Sequence, residues 1–120
     1  MRILIIEDEF LVADYLEQIV REMGHDDVFV AYDIATGTRM LDAIEPDFAI
    51  LDVNVGEALV FPLAAELLQR KIPFVFSTAK PESSFPDEWR NYPILPKPVD
   101  TKRLGVAIST LGPAGPKSSN

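Results

Sequence analysis

Ile3-Leu4-Ile5-Ile6-Glu7-Asp8 is the stretch that decides the fold. A short, unbroken apolar run rich in β-branched residues reads as a strand buried on both faces, the kind found in parallel sheets. Downstream, Phe10, Leu11, Tyr15, Leu16, Ile19, Val20 and Met23 recur at helical spacing. Asp8 is a candidate N-cap for that helix and Gly24 its stop. Residues 28–31 read as a second strand. Asp33 caps a helix through Ile44 whose apolar face uses Ile34, Met40, Leu41 and Ile44. Gly37 weakens it by roughly 1 kcal/mol relative to alanine, and Pro46 closes it.

Residues 48–51 form a third strand that ends at Asp52, followed by a loop containing Gly56. Pro62 is tolerable only in a first helical turn, so the next helix starts near Val60 and runs to about Arg70. Residues 74–76 are a fourth strand. Pro81, Pro86 and Pro93 interrupt the segment 80–92, leaving room for a short turn at 87–90. Ile94-Leu95 is a brief fifth strand. Leu104, Val106, Ala107, Ile108 and Leu111 mark a last helix from near Asp100. Strand and helix thus alternate five times. Parallel strands need crossover connections, so the expectation is an α/β domain: a doubly wound (βα)5 unit with a five-stranded parallel sheet and a short or irregular fourth helix. The domain occupies residues 1–111, and the Gly/Pro/Ser-rich residues 112–120 read as a flexible tail.

The 120 residues suit one domain. There is no cysteine, which excludes disulfides and thiolate metal sites. The single histidine, His25, excludes zinc sites built on several imidazoles and reads as a solvated loop residue. A net charge of −8 opposes binding to nucleic acid and to anionic membranes. The first apolar run meets acids after four residues, so it is no signal peptide. No apolar run is long enough to span a bilayer, and a cytoplasmic location is expected.

In an open parallel sheet, ligands sit outside the carboxyl ends of the strands. The residues there are Glu7-Asp8 after the first strand, Asp52 and Asn54 after the third, Ser77-Thr78 after the fourth, and Pro96-Lys97-Pro98 after the fifth. Each has an ordinary reading alone: a cap, a loop acid, a turn residue, a surface charge. Together they gather carboxylates, a hydroxyl and one lysine on a single edge. Clustered carboxylates repel unless a cation sits among them. A hard divalent ion with oxygen ligands, magnesium above all, fits that need.

These motifs resemble the receiver domains of two-component response regulators, over residues 1–111. The resemblance implies a flavodoxin-like receiver fold and a magnesium ion held by Glu7, Asp8, Asp52 and the backbone carbonyl of Asn54. It makes Asp52 the phosphoacceptor, with Thr78 and Lys97 binding the phosphoryl group, and implies a cis peptide before Pro98. The implied partner is a histidine kinase or a phosphotransfer protein, and the implied state a monomer or a weak, phosphorylation-dependent dimer. Magnesium and Lys97 would neutralise the phosphoryl oxygens during self-catalysed transfer, with no free substrate turned over. A narrower resemblance, through 72–78 and 95–98, is to single-domain receivers with a Phe-Ala-Thr-Gly fourth strand that work with HWE-type histidine kinases. Ser77 stands where that subfamily has alanine and Ala79 where it has glycine. Ile94 stands where many receivers carry the aromatic residue that reports phosphorylation, which puts that readout in doubt.

Two rivals use the same residues. A phosphatase with an aspartyl-phosphate intermediate usually carries a second aspartate two positions after the nucleophile; here that position is Asn54. A pseudo-receiver, docking without phosphorylation, would not need all five motifs. Met1 running straight into the first strand, with a polar tail, favours a stand-alone switch, relay or phosphate sink over a piece of a hybrid kinase.

Overall fold

Apolar strands that cannot face water on either side are covered here by two helices on each face. The computed structural model describes residues 1–113. Its elements are β1 (Arg2–Ile6), α1 (Phe10–Glu22), β2 (Asp27–Ala31), α2 (Ile34–Ile44), β3 (Phe48–Asp52), β4 (Asn54–Val55), β5 (Ala58–Leu59), α3 (Phe61–Gln69), β6 (Phe74–Thr78), β7 (Ile94–Pro96) and α4 (Thr101–Leu111). The main sheet is parallel, in the order β2-β1-β3-β6-β7. This is the doubly wound, flavodoxin-like architecture expected from the sequence. Strand order reverses between β1 and β3, which opens a crevice at their carboxyl ends. Of the tail expected over 112–120, residues 114–120 lie outside the described residues.

Alternation along each strand feeds two cores. Leu4, Ile6, Leu51 and Phe76 pack with Leu41 of α2 and Leu63 and Leu67 of α3. Ile3, Ile5, Ile50 and Val75 pack with Leu16 and Ile19 of α1 and Leu104 and Ile108 of α4. Gly37 is less a weakness than a fitting: a Cβ there would lie 2.5 Å from Ile6 Cδ1, so its absence lets α2 approach β1. Asp33 caps α2 as expected, and Asp100, near which the last helix was expected to start, caps α4; they accept from the amides of Thr36 and Arg103 at 2.7 and 3.0 Å.

Several local expectations are corrected. Asp8 does not cap α1; Glu9 takes that position without a side-chain bond. The Asp8 carboxylate instead accepts from the Gly56 amide at 2.9 Å. That contact exists because the expected loop after β3 is a small hairpin, β4 paired with β5, turning at Gly56 with φ +64°. A positive φ suits glycine, which has no Cβ to clash. Of the residues at helical spacing in α1, Phe10, Leu11 and Tyr15 are exposed, Leu11 to 81%. All three lie in the first two turns of the helix. Val106 of α4 is exposed as well.

Between β6 and β7 the chain forms no α-helix. It makes two single 3-10 turns, Glu82–Ser84 and Asp87–Trp89. The prolines prevent a longer helix, and aromatic packing holds what remains. Phe85 and Trp89 are buried. Trp89 stacks on Phe61 at 5.8 Å, and Phe85 meets Phe76 edge-on at 5.4 Å.

Candidate functional site

The carboxyl ends of four strands, β1, β3, β6 and β7, converge as the sequence predicts. Glu7 leaves β1 fully buried, Asp52 ends β3 at 7% exposure, and Thr78 ends β6 at 3%. Lys97 follows β7 and is fixed by its backbone amide, which donates to the Thr78 carbonyl at 2.9 Å. The Lys97–Pro98 peptide is cis. From that position the lysine crosses toward β3 and β1. Its Nζ donates to Glu7 Oε1 at 2.8 Å and lies 3.4 Å from Asp52 Oδ1.

Glu7, Asp8 and Asp52 bring carboxylate oxygens within 4.8 Å of one another. Three acids face one lysine, so the group carries excess negative charge in a partly dry place. Burial and the neighbouring Glu7 carboxylate push Asp52 up to about 7, against the opposing pull of Lys97. Burial also works against the Lys97 charge. The hydrogen bond to Glu7 and the Asp52 charge outweigh it and hold the ammonium above its ordinary value.

The donor set fits a magnesium ion: oxygen ligands, carboxylates in excess, and an open crevice for water. Both Glu7 oxygens already have partners, Lys97 on one and the Glu9 amide at 3.1 Å on the other. Asp8 and Asp52 are therefore the less encumbered carboxylates of the group, and Glu7 completes it. Asn54 follows in β4 and is half-buried. Thr78 Oγ1 accepts from the Lys80 amide at 3.1 Å, which ties the site to the segment 80–92.

One feature escaped the sequence reading, and another was placed by it without a role. The Gly56 amide helps to place Asp8, a contact visible only once the hairpin is formed. Ser77 Oγ is a buried side-chain oxygen without a hydrogen-bond partner among the described residues. The sequence places it beside Thr78 at the strand end but gives it no role.

No family model matches the chain. Solved structures do. SdrG from Sphingomonas melonis superposes with a TM-score of 0.79 at 34% identity, covering 91% of this chain and 93% of that one. The response regulator receiver domain of PhyR from Erythrobacter litoralis gives 0.79 at 26% identity, over 91% and 87%. The sensory transduction protein LytR of Streptococcus agalactiae is 30% identical over 117 residues, covering 91% of this chain and 47% of that protein. The chain thus spans less than half the length of the curated relatives it matches. With this fold and these relatives, the chain belongs to the response regulator receiver domains of two-component signalling.

Among the described residues, no helix is long and apolar enough to cross a membrane.

Proposed function

We propose that Asp52 accepts a phosphoryl group from the phosphohistidine of a histidine kinase or phosphotransfer protein, with magnesium held by Asp8, Asp52 and the Asn54 carbonyl. The observation that carries this is the single lysine set between a buried anchor, Glu7, and an under-partnered acceptor, Asp52. Bound magnesium supplies positive charge against the phosphoryl oxygens and allows neighbouring acids to stay ionised together.

The chain's own groups do the rest. An Asp52 oxygen attacks phosphorus in line, the bond from phosphorus to the donor nitrogen breaks, and its electron pair returns to the imidazole. Lys97 turns from Asp52 to an incoming phosphoryl oxygen, and the Thr78 hydroxyl donates to another. The product is an acyl phosphate on Asp52, which water later hydrolyses. No free substrate is turned over. Asn54, two residues beyond the acceptor, leaves the site without the second aspartate of a phosphatase.

As a cytoplasmic relay or phosphate sink, the domain would pass on or absorb phosphoryl groups. The PhyR neighbours, described as a stress response regulator and an anti-anti-sigma factor, support a place in stress signalling; the HWE-type kinase partner rests on the resemblance of residues 72–78 and 95–98 alone. The test is incubation with a small radiolabelled acyl-phosphate donor. Wild type is expected to take up label only with magnesium, and Asp52→Asn to take up none. Equal labelling of both proteins would refute the reading.

A further inference from the structure

Ser77 is fully buried, and its hydroxyl meets no partner among the described residues. A buried unpaired hydroxyl is costly, since it has given up water for nothing. Its position is specific. Ser77 is the register partner of Asp52 across β3 and β6, and of Leu95 across β6 and β7. Side chains alternate along a strand. Ile50 and Val75 both face the α1 and α4 core, so Asp52 and Ser77, each two residues on, share that face. Adjacent strands lie about 4.8 Å apart. The unsatisfied hydroxyl therefore neighbours the site carboxylate that is held only by a long contact, 3.4 Å to Lys97. Asp52 has only the long contact to Lys97, whose hydrogen bond goes to Glu7.

The geometry points to Ser77 as a positioning residue that sets the lifetime of the phosphorylated state. This rests on Asp52 being the phosphoacceptor. When Lys97 turns to the phosphoryl group, the Asp52 oxygen not bonded to phosphorus keeps no hydrogen-bond donor, and it has a lone pair to spare beside the magnesium that it would hold. A rotation about the Ser77 side-chain bond lets the hydroxyl donate to that oxygen, the one not bonded to phosphorus. In hydrolysis, water attacks phosphorus and the bond from phosphorus to Asp52 breaks. The electron pair goes to the carboxylate, and the water's protons end on phosphate and solvent. The transition state is loose, so charge gathers on the departing carboxylate. A hydrogen bond to that carboxylate strengthens as the charge develops. Ser77 thus makes Asp52 a better leaving group, and the phosphorylated state shorter-lived, than alanine would.

The test uses the full chain, phosphorylated by a small acyl-phosphate donor in excess magnesium and then freed of donor. The decay of phosphorylated Asp52 is followed in wild type, Ser77→Ala, Ser77→Cys and Ser77→Thr. Ser77→Ala and Ser77→Cys are expected to lengthen the half-life roughly two- to tenfold, the weight of one ordinary hydrogen bond. Ser77→Thr should restore the wild-type value. The melting temperature of Ser77→Ala should not fall, because the hydroxyl has no partner to lose. An unchanged or shorter half-life in both Ser77→Ala and Ser77→Cys overturns the inference, as does a threonine variant that behaves like alanine. If wild type takes no label on Asp52, the functional reading itself fails, and this inference goes with it before any decay is measured.

Discussion

Lys97 binds Glu7 more closely than it approaches Asp52, at 2.8 Å against 3.4 Å. Glu7 is fully buried, with both oxygens partnered, and serves as the anchor of the lysine. Asp52 keeps an open side toward the crevice and is left available for chemistry. Removing the lysine should therefore cost stability as well as function. Lys97→Met leaves Glu7 charged and buried, a loss of about 3 kcal/mol by analogy with other broken buried pairs. The double variant Glu7→Gln/Lys97→Met should recover most of it. Urea unfolding checks both. A single variant as stable as wild type would show that Glu7 does not depend on Lys97.

Asp52 shapes the pH dependence of the metal-free protein. Its folded pKa of about 7 lies above the ordinary carboxylate value. The favourable contribution is complete below that ordinary value, is lost as pH rises toward 7, and is absent above it. Asp52→Asn should thus be more stable than wild type at pH 8, by at most about 4 kcal/mol. The gap should close below pH 4 and narrow with added magnesium. Thermal melts across that range, with and without the ion, are the check. A variant no more stable at pH 8 would remove the argument.

The exposed first turns of α1 give the partner a place to dock. Phe10 and Leu11 are 66% and 81% exposed, and they directly follow the acids of the site. Leu11→Ala should slow phosphotransfer from a cognate kinase several-fold. It should leave labelling by a small donor and the melting temperature unchanged, since little packing is lost. A fall in both rates would place Leu11 in the chemistry rather than the interface.

The segment between β6 and β7 should respond to phosphorylation. Thr78 Oγ1 accepts from the Lys80 amide, and the aromatic pair Phe85 and Trp89 anchors the same segment. If the Thr78 hydroxyl turns to a phosphoryl oxygen, that amide loses its partner and the segment shifts. Amide exchange over 80–92 should change more than in the rest of the chain when a phosphoryl mimic binds. Trp89→Ala should cost about 3 kcal/mol in stability. Exchange in this segment that ignores the mimic would contradict the coupling.

Much of this was legible in the sequence because the relevant signals are local. The apolar runs at Ile3–Ile6 and 48–51, the cap Asp33, and the proline pattern each reveal an element without its neighbours. The strand ends follow, and with them Glu7, Asp8, Asp52, Thr78 and Lys97. What depends on distant pairing was not legible. The β4–β5 hairpin has too few residues to show a period, so the Gly56 contact to Asp8 stayed hidden. Phe85 and Trp89 gave no periodic signal in a segment broken by Pro81 and Pro86, and their burial comes from Phe61, Phe74 and Phe76 on other elements.

The central claim is that the phosphoryl group resides on Asp52, and chemical trapping of the acyl phosphate tests it most directly. Borohydride reduces a phosphorylated aspartate to homoserine, and peptide sequencing then locates the change. After labelling with a small donor and magnesium, homoserine is expected at position 52 and at no other aspartate. Homoserine at another acid, or stable phosphate found on His25, Ser77 or Thr78 with position 52 unmodified, would contradict the account.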